Sequence, residues 1–322
     1  MSSPILGGLP SLSALETPAD QILYVIGNGF DLHHGIASSY KEFGNFLAGT
    51  DPSTYQEVER YFNVDDSFWW EFEAQLATLD TDTLLQDAGQ FLDSYASDEW
   101  SDAGHHNYQY ELDRVIKAIS QTLRRRFGEW VRQLAIPAAA SVLSKLLPLR
   151  NDARYLTFNY TDTLQRVYGI QHANVVHIHG SASHANNVLV LGHGWHRAPT
   201  DSFNHGINFE EADTREIEGN EIIDEYFSST FKPTARIIEE NQAFFQSLEN
   251  VSMVLVMGHS LSSVDLPYLR EIRSHLRSER VRWRVSFHGD SRDAQEGMRN
   301  IEVPAENVQF FPLSEPSRWA VP

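Results

Sequence analysis

The stretch ILYVIGNGFD, residues 22–31, decides the fold. Its first half, Ile22–Ile26, is a continuous apolar and β-branched run, which predicts a buried strand. Gly27-Asn28-Gly29 follows at once and predicts a tight turn. Ser39 and Glu42 then have the spacing of a helix capping box, so a strand, a glycine turn and a helix follow in order.

Strand-like runs return after residue 150, and helical patterns separate several of them. The runs lie at residues 154–159, 175–179, 188–192, 252–257, 281–287 and 308–311. Among the separating helices, one is predicted at residues 264–276, capped by Ser263, and a short one near residues 293–299. Because strands joined through helical crossovers run parallel, this order predicts an α/β fold with a Rossmann-like, mostly parallel sheet.

The region between the first two strands has a helical pattern. From Tyr108 to Leu134, apolar side chains recur every three or four residues, which predicts one long helix with a single buried face. Pro137 is expected to end this helix, and Pro148 the next one. The predicted organisation is a flexible tail at residues 1–20, a Rossmann-like domain at residues 21–50 and 151–322, and a helical insertion at residues 51–150.

Composition excludes several classes of function. The chain has no cysteine, which rules out a disulfide scaffold, a thiolate nucleophile and a cysteine zinc site. Its formal net charge of −19 repels a phosphate backbone, so nucleic-acid binding is not expected, although arginines cluster at residues 124–132 and 270–284. No apolar run approaches the ~20 residues of a membrane span, and residues 1–20 lack signal-peptide features. We expect a cytoplasmic protein without a membrane partner.

Four turn segments carry the candidate site, because ligands of such sheets bind outside the carboxyl ends of the strands. The first is Gly27-Asn28-Gly29-Phe30-Asp31. Glycines let the backbone approach a pyrophosphate, and N–H groups at a helix start bind its charge. Leu32 takes the third glycine position of the G-x-G-x-x-G fingerprint, so the segment is either a phosphate-binding loop or a plain strand-to-helix turn.

The second segment follows the strand predicted at residues 154–159. Asn159 and Thr161 can hydrogen-bond a sugar hydroxyl or orient a water molecule, whereas Asp162 is better explained as a helix cap.

The third segment contains two histidines. His177 and His179 would share one face of a strand, and a neutral imidazole beside a glycine suits general-base work. A core histidine with ordinary hydrogen bonds is the alternative. No metal is expected, although His193 or His196 could supply further ligands.

The fourth segment is Gly258-His259-Ser260, at the end of another predicted strand. Ser262 stands where a nucleophile elbow has its second glycine, so a hydrolase triad is not expected. Either the Ser260 hydroxyl and backbone amides line a nucleotide pocket, or the segment is an ordinary turn. The aromatic run at residues 68–73 most simply packs the insertion against the sheet, with a lid over the pocket, formed by Glu73 or a tryptophan, as the alternative.

In their order along the chain, these motifs resemble those of two known families. The glycine turns, Asn159 and His179 are similar to the NAD site of sirtuins, but only in these loops. From Ile22 onward the chain resembles, more specifically, the AbiH family of bacterial anti-phage abortive-infection proteins. The AbiH hallmarks are Gly-Asn-Gly-Phe-Asp-Leu at 27–32, Tyr40-Lys41-Glu42-Phe43, Phe68-Trp69-Trp70-Glu71-Phe72-Glu73, Phe158-Asn159-Tyr160-Thr161-Asp162, His177-Ile178-His179-Gly180 and Gly258-His259-Ser260-Leu261.

The resemblance implies a site as well as a role. By likeness to sirtuins, His179 would be the catalytic base and Asn159 would contact the ribose and the attacking water. Asp31 departs from the sirtuin pattern, and the four-cysteine zinc module of sirtuins is missing. The implied nucleotide-binding residues are Gly27, Asn28, Gly29, Phe30, Asp31, Thr161, Gly258, His259 and Ser260.

Three functions follow as hypotheses. The first is an enzyme of abortive infection that hydrolyses NAD, or a related nucleotide, at the N-glycosidic bond. The second is a nucleotide sensor or interaction module without chemistry, and the third is a toxin that acts on RNA or DNA. The partners left open are a phage-derived trigger, a protein partner and a second copy of the chain.

Overall fold

The computed structural model describes residues 17–65, 67–92, 106–184 and 186–321. Within these ranges, six strands form one sheet: β1 (Ile22–Ile26), β2 (Arg154–Thr157), β3 (Val175–His177), β4 (Met253–Met257), β5 (Arg282–Phe287) and β6 (Val308–Pro312). The helices are α1 (Asn28–His33), α2 (Tyr40–Thr50), α3 (Pro52–Tyr61), α4 (Phe72–Gln75), α5 (Thr81–Gly89), α6 (Asn107–Lys117), α7 (Leu123–Gln133), α8 (Thr163–Tyr168), α9 (Thr214–Thr230), α10 (Thr234–Glu240), α11 (Gln242–Gln246), α12 (Leu266–His275) and α13 (Arg292–Asn300).

The sheet is parallel throughout, in the order β3-β2-β1-β4-β5-β6. The first strand of the chain therefore lies in the centre, with β2 on one side and β4 on the other. Strand order reverses between β1 and β4, which is where sheets of this type bind ligands at their carboxyl edge. The predicted α/β, Rossmann-like fold is confirmed.

Strand β1 is buried on both faces, as its unbroken apolar sequence requires. Leu23 and Val25 pack on one face, in a cluster that includes residues of α10, α11, α12 and α13. Ile22, Tyr24 and Ile26 pack on the other, with residues of α1 and α8 and with Trp319. Helices thus cover both faces of the sheet, and the side chains of β1 alternate between the two cores.

A separate helical cluster is formed mainly by the part of the chain between β1 and β2. It buries residues of α2, α3, α5, α6 and α7, and α9, from the later part of the chain, packs against it as well. The long amphipathic helix is present, but a π-helical turn at Ala118–Thr122 separates α6 from α7. Helix α7 ends at Gln133, before Pro137, and the second helix predicted before Pro148 is wrong, because residues 139–145 form two short 3-10 turns.

Two other predictions of local structure are corrected. Residues 188–192 are not a strand; their alternating Leu189 and Leu191 pack against the helical cluster instead of the sheet. Ser263 does not cap α12, because that helix begins after Asp265. The capping box at Ser39 is confirmed in its first half, since its side chain accepts a hydrogen bond from the Glu42 N–H.

Of the tail predicted at residues 1–20, residues 1–16 lie outside the described residues, and Ala19–Gln21 form a 3-10 turn. Among the described helices, none combines the length and the apolar character needed to span a bilayer.

Candidate functional site

The turns after β1, β2, β3 and β4 meet at the carboxyl edge of the sheet. Thr161, after β2, donates a hydrogen bond of 2.5 Å to Asp31, after β1. The Phe158 ring lies between two histidines, with centroid distances of 5.2 Å to His179 and 4.3 Å to His259. Predicted site residues from four separate turns therefore share one region of the molecule.

The glycines of the first and fourth turns pack directly on each other. A Cβ on Gly27 would lie 2.5 Å from the Cα of His259, and a Cβ on Gly258 would lie 2.1 Å from the backbone nitrogen of Phe30. The Gly29 N–H donates to the Gly258 carbonyl at 2.7 Å. Close packing of two backbones accounts for these glycines, and the N–H of Gly29 is already used. Their contact with a phosphate stays a prediction.

Two other residues of the first turn have structural partners. The Asn28 amide donates to the Ser38 carbonyl at 2.9 Å and accepts from the Ser38 hydroxyl at 2.6 Å. Phe30 is fully buried and packs on His34 and Tyr168. Both residues hold the glycine turn in place; their predicted nucleotide contacts stay predictions.

The second turn contains buried polar atoms without partners. Asn159 is 6 % exposed, and neither its Oδ1 nor its Nδ2 makes a hydrogen bond to the protein. Asp31 is 1 % exposed, and its Oδ1 is also unpaired. Burial raises the pKa of Asp31 to about 6, although hydroxyls of Thr161 and Thr163 act in the opposite direction. The nearby Asn159 amide also lowers the pKa of Asp31, although the two side chains do not form a hydrogen bond.

The two histidines of the third segment have different surroundings, because β3 ends at His177 and the chain turns at Gly180. His177 bonds the Asn159 carbonyl at 3.0 Å and Gln165 at 3.1 Å, as a structural histidine does. His179 is 2 % exposed, and its Nε2 makes no hydrogen bond. Burial, and then the positive charge of Lys232, lower the pKa of His179 to about 3, so the imidazole is neutral at pH 7.

The fourth turn is held in a strained conformation. Leu261 has a φ of +57°, which non-glycine residues adopt only at a cost in free energy. In this position the Leu261 N–H donates to Nδ1 of His259 at 2.9 Å. The proton of the neutral His259 ring must then be on Nε2. Ser260 is exposed.

A buried charged cluster at this edge was not found from the sequence. We call Glu73, Lys232 and Asp265 the charged triad. Lys232 is completely buried, and its ammonium donates to Glu73 at 2.5 Å and to Asp265 at 3.2 Å. Lys232 lies in a connection between two helices and has no local motif, so only the tertiary fold reveals it.

Asp265 is the ionised acid of the charged triad. Burial raises its pKa, but Lys232, His179 and His259 outweigh that effect and bring the pKa down to about 2. Burial dominates at Glu73 and raises its pKa, in spite of Lys232. Burial lowers the pKa of Lys232, but the two carboxyls raise it by more, so the amine stays charged.

The aromatic run at residues 68–73 divides between two environments. Phe68 and Phe72 are buried inside the helical cluster and not against the sheet as predicted, whereas Trp70 is 78 % exposed. Glu73 accepts hydrogen bonds from Tyr40 at 2.9 Å and from Tyr160 at 3.4 Å, besides its bond to Lys232. The helical cluster is therefore tied to the carboxyl edge of the sheet through one carboxylate.

The histidines considered as metal ligands do not form a metal site in the described part of the chain. No group of three or more His, Cys, Asp or Glu side chains there is arranged to hold an ion. His193 accepts a hydrogen bond from the Trp195 N–H at 3.2 Å, and its ring packs near Phe227 and Phe231. Its ring is buried, and its Nε2, like that of His179, makes no hydrogen bond.

A six-stranded parallel sheet with a central first strand, and with buried polar side chains over its carboxyl edge, defines a Rossmann-like α/β protein. The chain belongs to the bacteriophage abortive infection AbiH family, whose model matches residues 23–287. This membership indicates a role in abortive infection, a defence against phage. No curated protein matches the chain.

Proposed function

We propose that this AbiH protein binds NAD, or a related nucleotide, at the carboxyl edge of its sheet and hydrolyses the N-glycosidic bond. The supporting observation is the buried, unpaired amide of Asn159 beside the unpaired Oδ1 of Asp31. Leaving one such group without a partner costs about 1–3 kcal/mol. Buried polar atoms of native proteins pair with protein, water or ligand, so three such atoms in one region support a polar ligand site there.

The donor and acceptor pattern suits a sugar. The amide of Asn159 offers one acceptor and two donors, and Oδ1 of Asp31 offers an acceptor. A ribose hydroxyl both donates and accepts, so adjacent hydroxyls can satisfy these atoms together. Asp31 would then bind ribose, which removes the difficulty of a carboxylate placed against phosphates.

His179 is the proposed base. In the reaction a water O–H loses its proton to the neutral imidazole, and the water oxygen bonds to the anomeric carbon of the ribose. The bond from that carbon to the nicotinamide nitrogen breaks, and its electron pair leaves with the neutral nicotinamide. Asn159 orients the water, and the imidazolium later releases its proton to solvent. Nicotinamide, ADP-ribose and one proton are the products.

Some observations favour binding without chemistry as a second candidate. A pKa of about 3 makes His179 a weak base. Asp31, Asn159 and His179 are all nearly inaccessible, and Gly27 and Gly29 are covered by the turn after β4. A ligand therefore needs a local opening of this edge, as in a sensor that responds to its nucleotide by a change of conformation.

Turnover measurements distinguish the two candidates. The purified protein is incubated with NAD, and free nicotinamide and ADP-ribose are quantified by chromatography. The proposal predicts product with wild type, and loss of about 10²-fold or more in rate for Asn159→Ala and His179→Ala. Asn174→Ala, at a half-buried site where the amide bonds the Asn151 carbonyl, and His205→Ala, at an exposed site, are the matched controls and should keep the wild-type rate.

Each outcome has a distinct meaning. Binding of NAD without products supports the sensor. Neither binding nor products, also in the presence of phage lysate as a source of the trigger, contradicts both candidates. Cleavage of RNA or DNA by the same preparation would instead support the toxin.

A further inference from the structure

Asp265 is in contact with three basic side chains, and the proposed reaction gives it no role. Its Oδ1 lies 3.2 Å from the Lys232 ammonium and 3.6 Å from Nε2 of His179. Its Oδ2 lies 3.6 Å from Nε2 of His259. Asp265 is 8 % exposed, so these contacts form away from bulk water.

Neither capping nor stability explains this carboxylate. Asp265 occupies the N-cap position of α12, but its side chain makes no capping hydrogen bond. Burying an ion pair is a poor way to gain stability, because desolvation of the charges offsets their attraction. A buried aspartate beside a histidine can instead set the tautomer of the ring, as the aspartate of a Ser-His-Asp triad does through a hydrogen bond.

His259 shows what Asp265 does to a neighbouring ring. Because Nδ1 of His259 accepts the Leu261 N–H, its Nε2 carries the proton, and that nitrogen lies 3.6 Å from Oδ2 of Asp265. His179 presents the same atom, Nε2, to the other oxygen of the same carboxylate. Both rings therefore present Nε2 to the same carboxylate, each at 3.6 Å.

We propose that Asp265 is the positioning residue of His179: from 3.6 Å, a contact longer than a hydrogen bond, its negative charge favours the proton on Nε2 and leaves Nδ1 free to take a proton from water. This inference rests on the proposed function for its catalytic meaning. Lys232 keeps Asp265 ionised, and Glu73 fixes Lys232 through its hydrogen bonds to Tyr40 and Tyr160.

The proton balance of the step is simple. The water proton moves to Nδ1 of His179, the Nε2–H bond stays intact, and the resulting imidazolium is paired with the Asp265 carboxylate. Asp265 does not take up a proton at any point. The positive charge of Lys232 opposes formation of the imidazolium, and the negative charge of Asp265 favours it.

The test reads the tautomer directly and does not depend on turnover. Long-range 1H–15N spectra of the full chain, labelled with 15N-histidine, are recorded at pH 7, and the His179 signals are assigned by their loss in His179→Gln. The proposal predicts a protonated Nε2 and an unprotonated Nδ1. A proton on Nδ1, or an even mixture of tautomers, overturns it, and this measurement on wild type needs no variant of Asp265.

A variant then tests the function of the pair. Asp265→Asn is expected to populate the Nδ1–H tautomer of His179 and to lower kcat by about 10³–10⁴-fold, with KM changed less than about threefold. The matched control is Glu271→Gln in the same helix, whose carboxylate bonds His275 at 2.9 Å. It should change neither the His179 tautomer nor kcat.

The two proposals fail in different ways. Turnover of NAD with His179 protonated on Nδ1 overturns the role of Asp265 and leaves the proposed function standing. The Nε2–H tautomer without turnover overturns the proposed function, and with it the catalytic meaning of the pair. Unchanged kcat in a folded Asp265→Asn variant also overturns the role of Asp265.

Discussion

Replacing Asp31 by asparagine should make the protein less sensitive to rising pH. Asp31 is 1 % exposed and its ionised form lacks enough partners, since only the Thr161 hydroxyl bonds it at short distance. The amide of the variant can accept the same hydrogen bond from Thr161 and carries no charge. The substitution therefore removes a buried ionisable group and keeps its shape.

The magnitude follows from the pKa of the carboxyl. Burial raises this pKa from 3.8 to about 6. The folded state therefore holds the Asp31 proton more tightly than the unfolded state does, so this group's contribution is fully present below pH 3.8 and is lost as pH rises through 6. A shift of about two units corresponds to about 3 kcal/mol of stability lost between pH 4 and pH 7.

Urea denaturation followed by circular dichroism at pH 4, 5, 6 and 7 measures this effect. The free energy of unfolding of Asp31→Asn, relative to wild type, should rise by about 3 kcal/mol across that range. Asp51→Asn is a control whose stability should change with pH in the opposite direction. Burial raises the pKa of Asp51, but hydrogen bonds from Arg126 and Ser53 lower it by more, to about 2. Its loss should destabilise the protein at pH 7 and less at pH 3. Parallel pH curves for wild type and Asp31→Asn would refute the reasoning.

Four further substitutions test the packing by chemical denaturation. Lys232→Met leaves two buried carboxyls without their cation and should lower the free energy of unfolding by about 3–5 kcal/mol. A loss below about 1 kcal/mol would mean that the contacts of the charged triad do not form in solution. Gly258→Ala should cost more than about 3 kcal/mol, since Gly258 has a φ of +69° and its added Cβ meets the Phe30 nitrogen. Gly169→Ala, with the same φ and open space around it, should cost only about 1 kcal/mol, and equal losses would contradict the packed turns. Tyr226→Phe removes a buried 2.8 Å hydrogen bond to a carbonyl and should cost about 1–3 kcal/mol; no loss would contradict that contact.

The sheet could be predicted because its strands have a local signature. Ile22–Ile26 is apolar at every position, as is typical of a strand covered on both faces, and a glycine turn follows it. The strand predicted at residues 188–192 does not form. Leu189 and Leu191 alternate with less buried residues, as in a strand, but they pack against helices. The spacing of apolar residues indicates that one face of a segment is buried. It does not indicate whether helices or a sheet cover that face.

The candidate site was predicted in part for the same reason. Asn159, His179 and His259 follow strands, and parallel strands bring their carboxyl ends together, so these residues could be assigned to one edge. Lys232 and Glu73 come from helices or their connections, and no rule of strand order brings them there. Their partnership depends on how the helical cluster docks, which a local pattern does not encode.

Calorimetric titration of NAD into wild type and into Asn159→Ala tests the central claim most directly, because the variant removes two of the unpaired buried atoms. A nucleotide at the carboxyl edge predicts saturable binding to wild type and an affinity at least about tenfold weaker, about 1.4 kcal/mol, for the variant. Equal affinity for both proteins, or no binding to wild type, would contradict the account.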